Sequence, residues 1–341
     1  MSSLFAVESS CDDTSMAVVD DCGKIQFLDT ISQVEIHKNF GGVVPELASR
    51  QHFLALNKLY KQAEEIIKKD QIKIVKVVAT TCPGLIGPLV VGSSFARGLA
   101  SGWQLPFVGV HHLRGHVASV LLNRKATLSL REQAKEIFPA VVLLASGGHS
   151  QILSCDFNLD CQLLADTADD AAGECFDKAA KLLGLDYPGG PAIEKEAACM
   201  SDLSKAQEYF KALPQPKAKQ GYSFSGLKTA IRYFLRDSTD LALAEFCWAV
   251  QEAICQTLLA GLKRSTTKID LTKHKSLILC GGVAANLRLR TLLEAWANEN
   301  ELCYFSPKLS LCMDNAAMIG AAAWVQQERH NCNELRSRAL L

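Results

Sequence analysis

Near the start of the chain two short apolar runs, residues 4–7 and 16–19, are separated by a polar turn at 9–13. Asp21-Cys22-Gly23 then precedes a third run that ends near residue 29. Apolar runs of this length bounded by Gly, Ser and Asp predict strands joined by tight turns. The same plan returns at 140–145, at the turn Ser146-Gly147-Gly148, and at 151–154 and 161–164. Apolar residues at helical spacing follow each meander, over 45–69 in the first case and 171–183 in the second. Further strands are predicted at 74–79, 107–110 and 277–280, interleaved with helices that include 287–294 and 316–325. A meander followed by alternating strands and helices, occurring twice, predicts an α/β protein of two similar lobes with a cleft between them. The first lobe is expected to take 1–110 and 312–341, and the second 111–311 with a helical insertion around 185–236. The polar stretch 201–220, with Pro214 and Pro216, reads as a surface loop or the edge of that insertion. The polar tail after Gln327 reads as a frayed end.

Composition narrows the class. The 341 residues are 48% hydrophobic and 21% charged, enough for one or two sizeable cores. Lysine plus arginine equal aspartate plus glutamate at 36 each, so no global charge draws the chain to nucleic acid or an anionic membrane. An RNA partner would have to be met by a local basic patch or by charge from other subunits. The thirteen cysteines are odd in number and scattered, with no C-x-x-C, and residues 1–8 are too short and too soon interrupted by Glu8 for a secretory signal. Free, mostly buried thiols in a reducing compartment are expected. No run of about 18 apolar residues is present, which points to a soluble cytoplasmic protein.

The sharpest chemical signal is His111-His112-Leu113-Arg114-Gly115-His116, placed after a predicted strand and opening a helix. His112 and His116 stand four apart, so their imidazoles share one helix face and can share a metal; a capping or core pair is the plainer alternative. His111 is the spare, read as packed or supporting. No Glu follows the first of the pair, unlike the H-E-x-x-H protease pattern. Asp314, just before the apolar helix 316–325, is a candidate third ligand, although an Asp at such a place is more often a helix N-cap. Two imidazoles and one carboxylate would leave coordination positions open for a substrate oxygen, and iron, zinc and manganese all accept that set.

Two glycine turns suggest phosphate chemistry. Ser146-Gly147-Gly148 joins two strands, and Gly281-Gly282 leads from a strand toward the helix at 287–294, where backbone N–H groups and the helix dipole favour an anion. Either pair alone is explained by a tight turn. Two of them in a duplicated α/β plan favour a nucleotide cleft. Ser9, Asp12 and Asp13 of the first hairpin would face the same cleft, with an ordinary Asx turn as the alternative.

In chain order, Glu8-Ser-Ser-Cys-Asp-Asp-Thr14, Gly41-Gly-Val-Val-Pro-Glu-Leu-Ala-Ser-Arg50 with His52, Pro83-Gly-Leu85, His112-x-x-x-His116 and Leu144-Ala-Ser-Gly-Gly-His149 resemble the TsaD family of tRNA threonylcarbamoyladenosine transferases. So do Asp169-Asp-Ala-Ala-Gly-Glu174 with Phe176-Asp-Lys178, Leu185-Asp-Tyr-Pro-Gly-Gly190, Phe224-Ser-Gly-Leu-Lys228, Gly281-Gly-Val-x-Ala-Asn286 and Asp314-Asn315. The resemblance implies a two-lobed fold of the actin, Hsp70 and sugar-kinase (RNase H-like) type. It implies one divalent metal on His112, His116 and Asp314, iron in the first place and zinc as the alternative. Substrate contacts carried over are Leu144, Ala145, Ser146, Gly147, Gly148, Asp177, Gly190 and Asn286, and Asp12 or Asp13 is the expected handler of the amine proton. The implied reaction moves a threonylcarbamoyl group from threonylcarbamoyl-AMP to the exocyclic amine of adenosine 37, beside the anticodon of tRNAs reading ANN codons. The implied partners are tRNA, the paralogue TsaB and the ATPase TsaE, with the intermediate supplied by a TsaC-type enzyme.

Two positions depart from the family pattern: Asp13 stands where a glutamate is usual, and Cys82 where a glycine is usual. Three other classes compete. A metallopeptidase would need a water-activating base, a position that Leu113 and Arg114 do not fill. A small-molecule kinase of the same fold has no use for two helical histidines. A non-catalytic scaffold would not need the intact histidines and glycine turns. A basic face of Lys217, Lys219, Lys228, Arg232 and Arg236 would favour RNA, against a merely solvated helix and loop.

Overall fold

The computed structural model describes residues 2–38, 40, 42–214, 222–237 and 241–326. The chain opens with the meander β1 (Ser3–Glu8), β2 (Asp13–Asp20) and β3 (Ile25–Ser32), followed by α1 (Val34–Lys38) and α2 (Pro45–Lys69). Next come β4 (Ile74–Cys82), α3 (Ile86–Gly102), β5 (Phe107–His111), α4 (His112–Ala118) and α5 (Leu130–Ile137). A second meander, β6 (Ala140–Ala145), β7 (Ser150–Cys155) and β8 (Cys161–Asp166), leads into α6 (Ala172–Leu182), α7 (Gly189–Ala197), α8 (Leu203–Ala212), α9 (Ser225–Asp237) and α10 (Leu243–Thr266). The last elements are β9 (Ser276–Cys280), α11 (Leu287–Glu299), β10 (Cys303–Phe305) and α12 (Ala316–Val325).

The strands form two five-stranded sheets, ordered β3-β2-β1-β4-β5 and β10-β9-β6-β7-β8. Counted from the start of each meander, both orders read third, second, first, fourth, fifth. In the first sheet the meander is antiparallel and β4 and β5 join in parallel; in the second, β9 pairs in parallel with β6 and β10 with β9. The duplication expected from the hydrophobic pattern is thus present as repeated topology.

Two compact units result, Met1–Phe138 with Cys155–Cys161 and Ser310–Leu341, and Pro139–Ser154 with Gln162–Leu309. The first unit therefore extends past the expected boundary at residue 110 and keeps α4 and α5. The reason is local. Leu130 N–H donates to the Asp21 carbonyl at 2.7 Å and Gln133 Nε2 donates to the Cys22 carbonyl at 3.0 Å, tying α5 to the β2–β3 turn. Ser129 and Glu132 close a reciprocal capping box at the start of that helix.

In the first unit β1 is buried along its whole length because helices cover both faces. Phe5 and Val7 pack with Met16, Val18, Leu56, Leu59 and Ala96 on the side of α2 and α3. On the opposite face Leu4 and Val19 meet α12 at Gly320, where an added Cβ would lie 3.0 Å from Leu4 Cδ1 and 3.1 Å from Val19 Cγ2. Each such fully buried side chain contributes on the order of 1.5–3 kcal/mol.

Helix 45–69, strand 140–145 and helix 316–325 have the expected bounds. Within 201–220, residues 203–212 are helical rather than loop, started by the Asp202 carboxylate accepting from Lys205 N–H at 3.0 Å. Lys217, Lys219 and the tail from residue 327 lie outside the described residues. The expectation of free thiols needs correction at one pair: Cys155 and Cys161 form a disulfide with Cα atoms 4.1 Å apart. The Asp156 carboxylate accepts from the N–H groups of Asn158 and Asp160 and folds this loop back on itself. No helix among the described residues is long and apolar enough to cross a membrane.

Candidate functional site

Strand β5 ends at His111 and α4 begins at His112, so the chain turns directly from sheet edge to helix. One helical turn brings His112 and His116 edge to face, their ring centroids 4.7 Å apart. Asp314 is not the cap of α12. That task falls to Asn315, whose Oδ1 accepts from Met318 N–H at 3.0 Å and whose Nδ2 donates to the Met313 carbonyl at 2.8 Å. Asp314 instead places Oδ1 3.1 Å from His116 Nε2 and 3.5 Å from His112 Nε2. One ligand atom from each of the three residues lies within 4.8 Å of the others.

These residues fit a divalent cation. His116 is buried, and neither ring nitrogen makes a hydrogen bond, although Nε2 sits close to the Asp314 carboxylate. A buried imidazole that makes no hydrogen bond, beside a second imidazole and a carboxylate with one potential ligand atom from each within 4.8 Å of the others, is a donor set that suits a divalent cation.

Behind His112 stands Glu8, the last residue of β1 and wholly buried. Its Oε1 accepts from Ser10 N–H at 2.6 Å, and its Oε2 accepts from the Thr80 hydroxyl and lies 3.2 Å from His112 Nδ1. Burial pushes the Glu8 carboxyl up, but the facing imidazole holds it below the ordinary carboxylate range. Burial pushes His112 down, yet Asp314 and then Glu8 outweigh it and raise the imidazole to about 9.

The β1–β2 turn carries Asp12 and Asp13. His52 pins it: Nε2 donates to the Cys11 carbonyl at 2.9 Å, and Nδ1 accepts from the Thr14 hydroxyl at 2.7 Å. Burial keeps that ring neutral by lowering its pKa. Leu85 N–H donates to the Ser10 carbonyl at 2.8 Å, an approach that leaves no room for a side chain at Gly84. Asp13 Oδ1 is buried without a hydrogen-bond partner. Burial, opposed by a Ser32 hydrogen bond and aided by Asp12, Asp314 and Glu8, pushes the Asp13 carboxyl up to about 7. Ser9, grouped with these aspartates in the sequence, is buried and its hydroxyl donates to the Pro88 carbonyl at 3.1 Å. Cys82 is buried and pairs with His111 in the β4–β5 ladder.

The second unit holds the glycine turns. Ser146 closes its turn through N–H to the His149 carbonyl at 2.8 Å, and its own carbonyl accepts from Gly173 N–H at 3.1 Å. A Cβ at Gly173 would fall 2.9 Å from Gly147 Cα, so α6 begins hard against this turn. Space around Gly147 and Gly148 is open, with nothing within 4 Å of an added Cβ. Gly281, at φ +90°, packs on the Ala145 backbone, which brings the two turns together. Leu144 and Ala145 bury their side chains completely and have only backbone to offer.

Asp177 accepts from Gly189 N–H at 2.7 Å, so it holds the start of α7 next to Gly190. Asn286 is committed to structure at both ends: Oδ1 caps α11 at Leu289 N–H, and Nδ2 donates to Gln251 Oε1 at 2.8 Å. Sequence reasoning gave no role to Glu8, Ser10, Thr80 or Asp169. Asp169 accepts from Phe224 N–H at 2.7 Å and anchors α9. Glu8, Ser10 and Asp169 were signalled only by membership of the matched segments, with Glu8 also a charge closing an apolar strand, and Thr80 carried no signal.

Repeated strand order defines the class, an α/β protein of the actin-like type, and its first unit brings together three side chains, His112, His116 and Asp314, that could hold a metal ion. Among solved structures, component A of (R)-2-hydroxyglutaryl-CoA dehydratase from Acidaminococcus fermentans aligns with a TM-score of 0.55 at 11% identity, covering 95% of this chain and 98% of that one. HypF from T. kodakarensis aligns at 0.56 and 13% identity, over 94% of this chain and 47% of that one. These likenesses establish the fold. Residues 24–321 match the family model described as TsaD: tRNA N6-adenosine threonylcarbamoyltransferase. A tRNA N6-adenosine threonylcarbamoyltransferase from Thermotoga neapolitana is 41% identical, over 96% of this chain and 94% of its own length. The protein of the same name from Brucella canis is also 41% identical, over 96% and 89%. The chain belongs to the TsaD family.

Proposed function

We propose that this chain transfers a threonylcarbamoyl group from threonylcarbamoyl-AMP to the N6 amine of adenosine 37 in tRNAs reading ANN codons. The observation that carries the reading is the convergence of His112, His116 and Asp314 in a chain matched to the family across residues 24–321. In the reaction the amine nitrogen attacks the carbamoyl carbon, the bond from that carbon to the phosphate oxygen breaks, and AMP leaves. The amine proton must go to a base.

Each group has work to do. His112, His116 and Asp314 would hold a divalent metal, iron first and zinc second, which supplies a Lewis acid for phosphate or carbonyl oxygens. Backbone N–H groups of Gly147 and Gly148 would receive the AMP phosphate, a contact for which the open space at both glycines leaves room, while Ser146, its N–H taken by the His149 carbonyl, would hold the turn that presents them. Leu144 and Ala145 contribute through their main chain, and Asp177, Gly190 and Asn286 shape the remainder of that pocket. Asp13 is the better placed proton acceptor of the hairpin pair, because a carboxyl raised to about 7 matches the working pH. We place the enzyme in the cytoplasm, working with TsaB and TsaE on intermediate from a TsaC-type enzyme.

A peptidase reading is disfavoured by Glu8. It is a carboxylate near the histidines, but it is buried behind His112 Nδ1 with both oxygens engaged. The test combines purified chain, TsaB, TsaE, unmodified tRNA and threonylcarbamoyl-AMP, with nucleosides read by mass spectrometry. Wild type yields modified adenosine, and the double variant His112→Ala, His116→Ala yields none. Product that survives the double variant would reduce the histidines to structural residues.

A further inference from the structure

We infer that Glu8 is the positioning residue of the metal centre, fixing the tautomer and the ring angle of His112. The inference rests on the reading of His112, His116 and Asp314 as ligands. His112 can present only one nitrogen to a cation, and the structure decides which. Nε2 is the atom that shares Asp314 with His116. Nδ1 points the other way, 3.2 Å from Glu8 Oε2 and 3.2 Å from Ser10 Oγ.

A carboxylate only accepts, so the proton of a neutral His112 belongs on Nδ1, donated to Glu8, and the Nε2 lone pair is left for the cation. Ser10 can donate or accept and cannot set the tautomer by itself. Glu8 in turn has no freedom. Ser10 N–H takes Oε1 at 2.6 Å, the Thr80 hydroxyl takes Oε2, and the side chain is wholly buried at the end of β1. Strand β1 is the central strand of its sheet, between β2 and β4, so the carboxylate is mounted on a rigid part of the unit.

His116 has no such support, since neither of its ring nitrogens makes a hydrogen bond. The centre is therefore asymmetric, with one oriented imidazole and one held by packing. Charge supports the same conclusion. Two neutral imidazoles and the Asp314 carboxylate leave a divalent ion with an excess positive charge, which a second carboxylate behind His112 cancels. Carboxylate–histidine–metal chains of this kind typically govern metal affinity by about 10–100-fold.

The experiment uses the full chain and Zn2+ alone, with affinity read by competition against a chromogenic chelator. Co2+-loaded protein gives the ligand-field spectrum as a second readout. Glu8→Gln is expected to weaken Zn2+ binding by about 10–100-fold and to shift the Co2+ bands. Ser10→Ala should leave both at wild-type values, and His112→Ala should abolish the site. Wild-type affinity and spectrum in Glu8→Gln, with His112→Ala inactive in binding, would overturn the proposal and leave the ligand reading intact. Retained binding in His112→Ala would remove the ligand reading, and this inference with it. If Glu8→Gln does not fold, Thr80→Val decides: it loosens the same carboxylate oxygen, so a smaller loss in the same direction is expected and no change overturns the proposal.

Discussion

Gly115 lies directly against Ile319: a Cβ at Gly115 would fall 2.7 Å from Ile319 Cδ1 and 3.2 Å from Met318 Cγ. This contact lets α4, which carries both histidines, approach the helix that begins just after Asp314. The missing side chain at Gly115 leaves α12 room to lie against the helix whose His112 and His116 have ligand atoms within 4.8 Å of one on Asp314.

Gly115→Val tests that role. Two methyl groups would press into the buried Ile319 and Met318, and overpacking of this kind costs about 1–3 kcal/mol. Urea unfolding should report the loss, and metal content after purification should fall although no ligand has changed. A variant as stable and as metal-loaded as wild type would mean that α12 shifts freely and that the close approach is incidental.

Asp13 should make the metal-free protein less stable as pH rises. Its carboxyl is raised to about 7 in the folded chain, mainly by burial, against 3.8 for the free group. A raised acid binds its proton more tightly when folded, so its contribution is fully present below the unfolded value and is lost as pH rises through about 7. Asp13→Asn removes this dependence. Melting temperatures of metal-free protein between pH 5 and 8 should therefore fall more steeply for wild type than for the variant. Parallel curves would show that Asp13 is already ionised at the lower end.

Much of this architecture is legible in the sequence because it rests on periodicity. Helix 45–69 and strand 140–145 follow from the spacing of apolar residues and from flanking Pro45 and Ser146, and the repeat of the meander gives the two sheets. The histidine pair is legible because four residues make one helical turn. Its supports are not. Glu8 is a lone charge at a strand end, a pattern that usually marks a turn, and only tertiary packing turns it toward His112. The first unit continues past residue 110 for a similar reason, since nothing local in 111–138 announces that α5 hydrogen-bonds to the β2–β3 turn. Cys155 and Cys161 likewise look like two more buried thiols until the Asp156 turn brings them together.

Asp177 combines a structural contact with a proposed substrate contact, and two substitutions separate them. Its carboxylate accepts from Gly189 N–H at 2.7 Å, next to Gly190. Asp177→Ala loses this cap and should cost about 1 kcal/mol, the usual effect of removing an N-terminal acceptor. Asp177→Asn keeps an acceptor oxygen and should be within a few tenths of a kcal/mol of wild type. If Asp177 also contacts substrate through its charge, the asparagine variant will modify tRNA more slowly at unchanged stability. Full activity in that variant would confine Asp177 to holding α7.

The pH dependence of metal uptake should be set by His112. In the metal-free centre its imidazole stays protonated up to about 9, because Asp314 and Glu8 together outweigh burial. A cation can bind Nε2 only after that proton leaves, so affinity must fall as pH drops below about 9. The limiting slope is one proton per metal, or about tenfold in affinity for each pH unit. The same proton stabilises the metal-free fold, fully below 6.5 and not at all once pH has risen past about 9. Metal loading and the metal-free melting temperature should therefore move in opposite directions across pH 7 to 9, read by chelator competition and by calorimetry. Affinity that stays flat over this range would mean that His112 is already neutral, and that the two carboxylates beside it are screened more strongly than their distances imply.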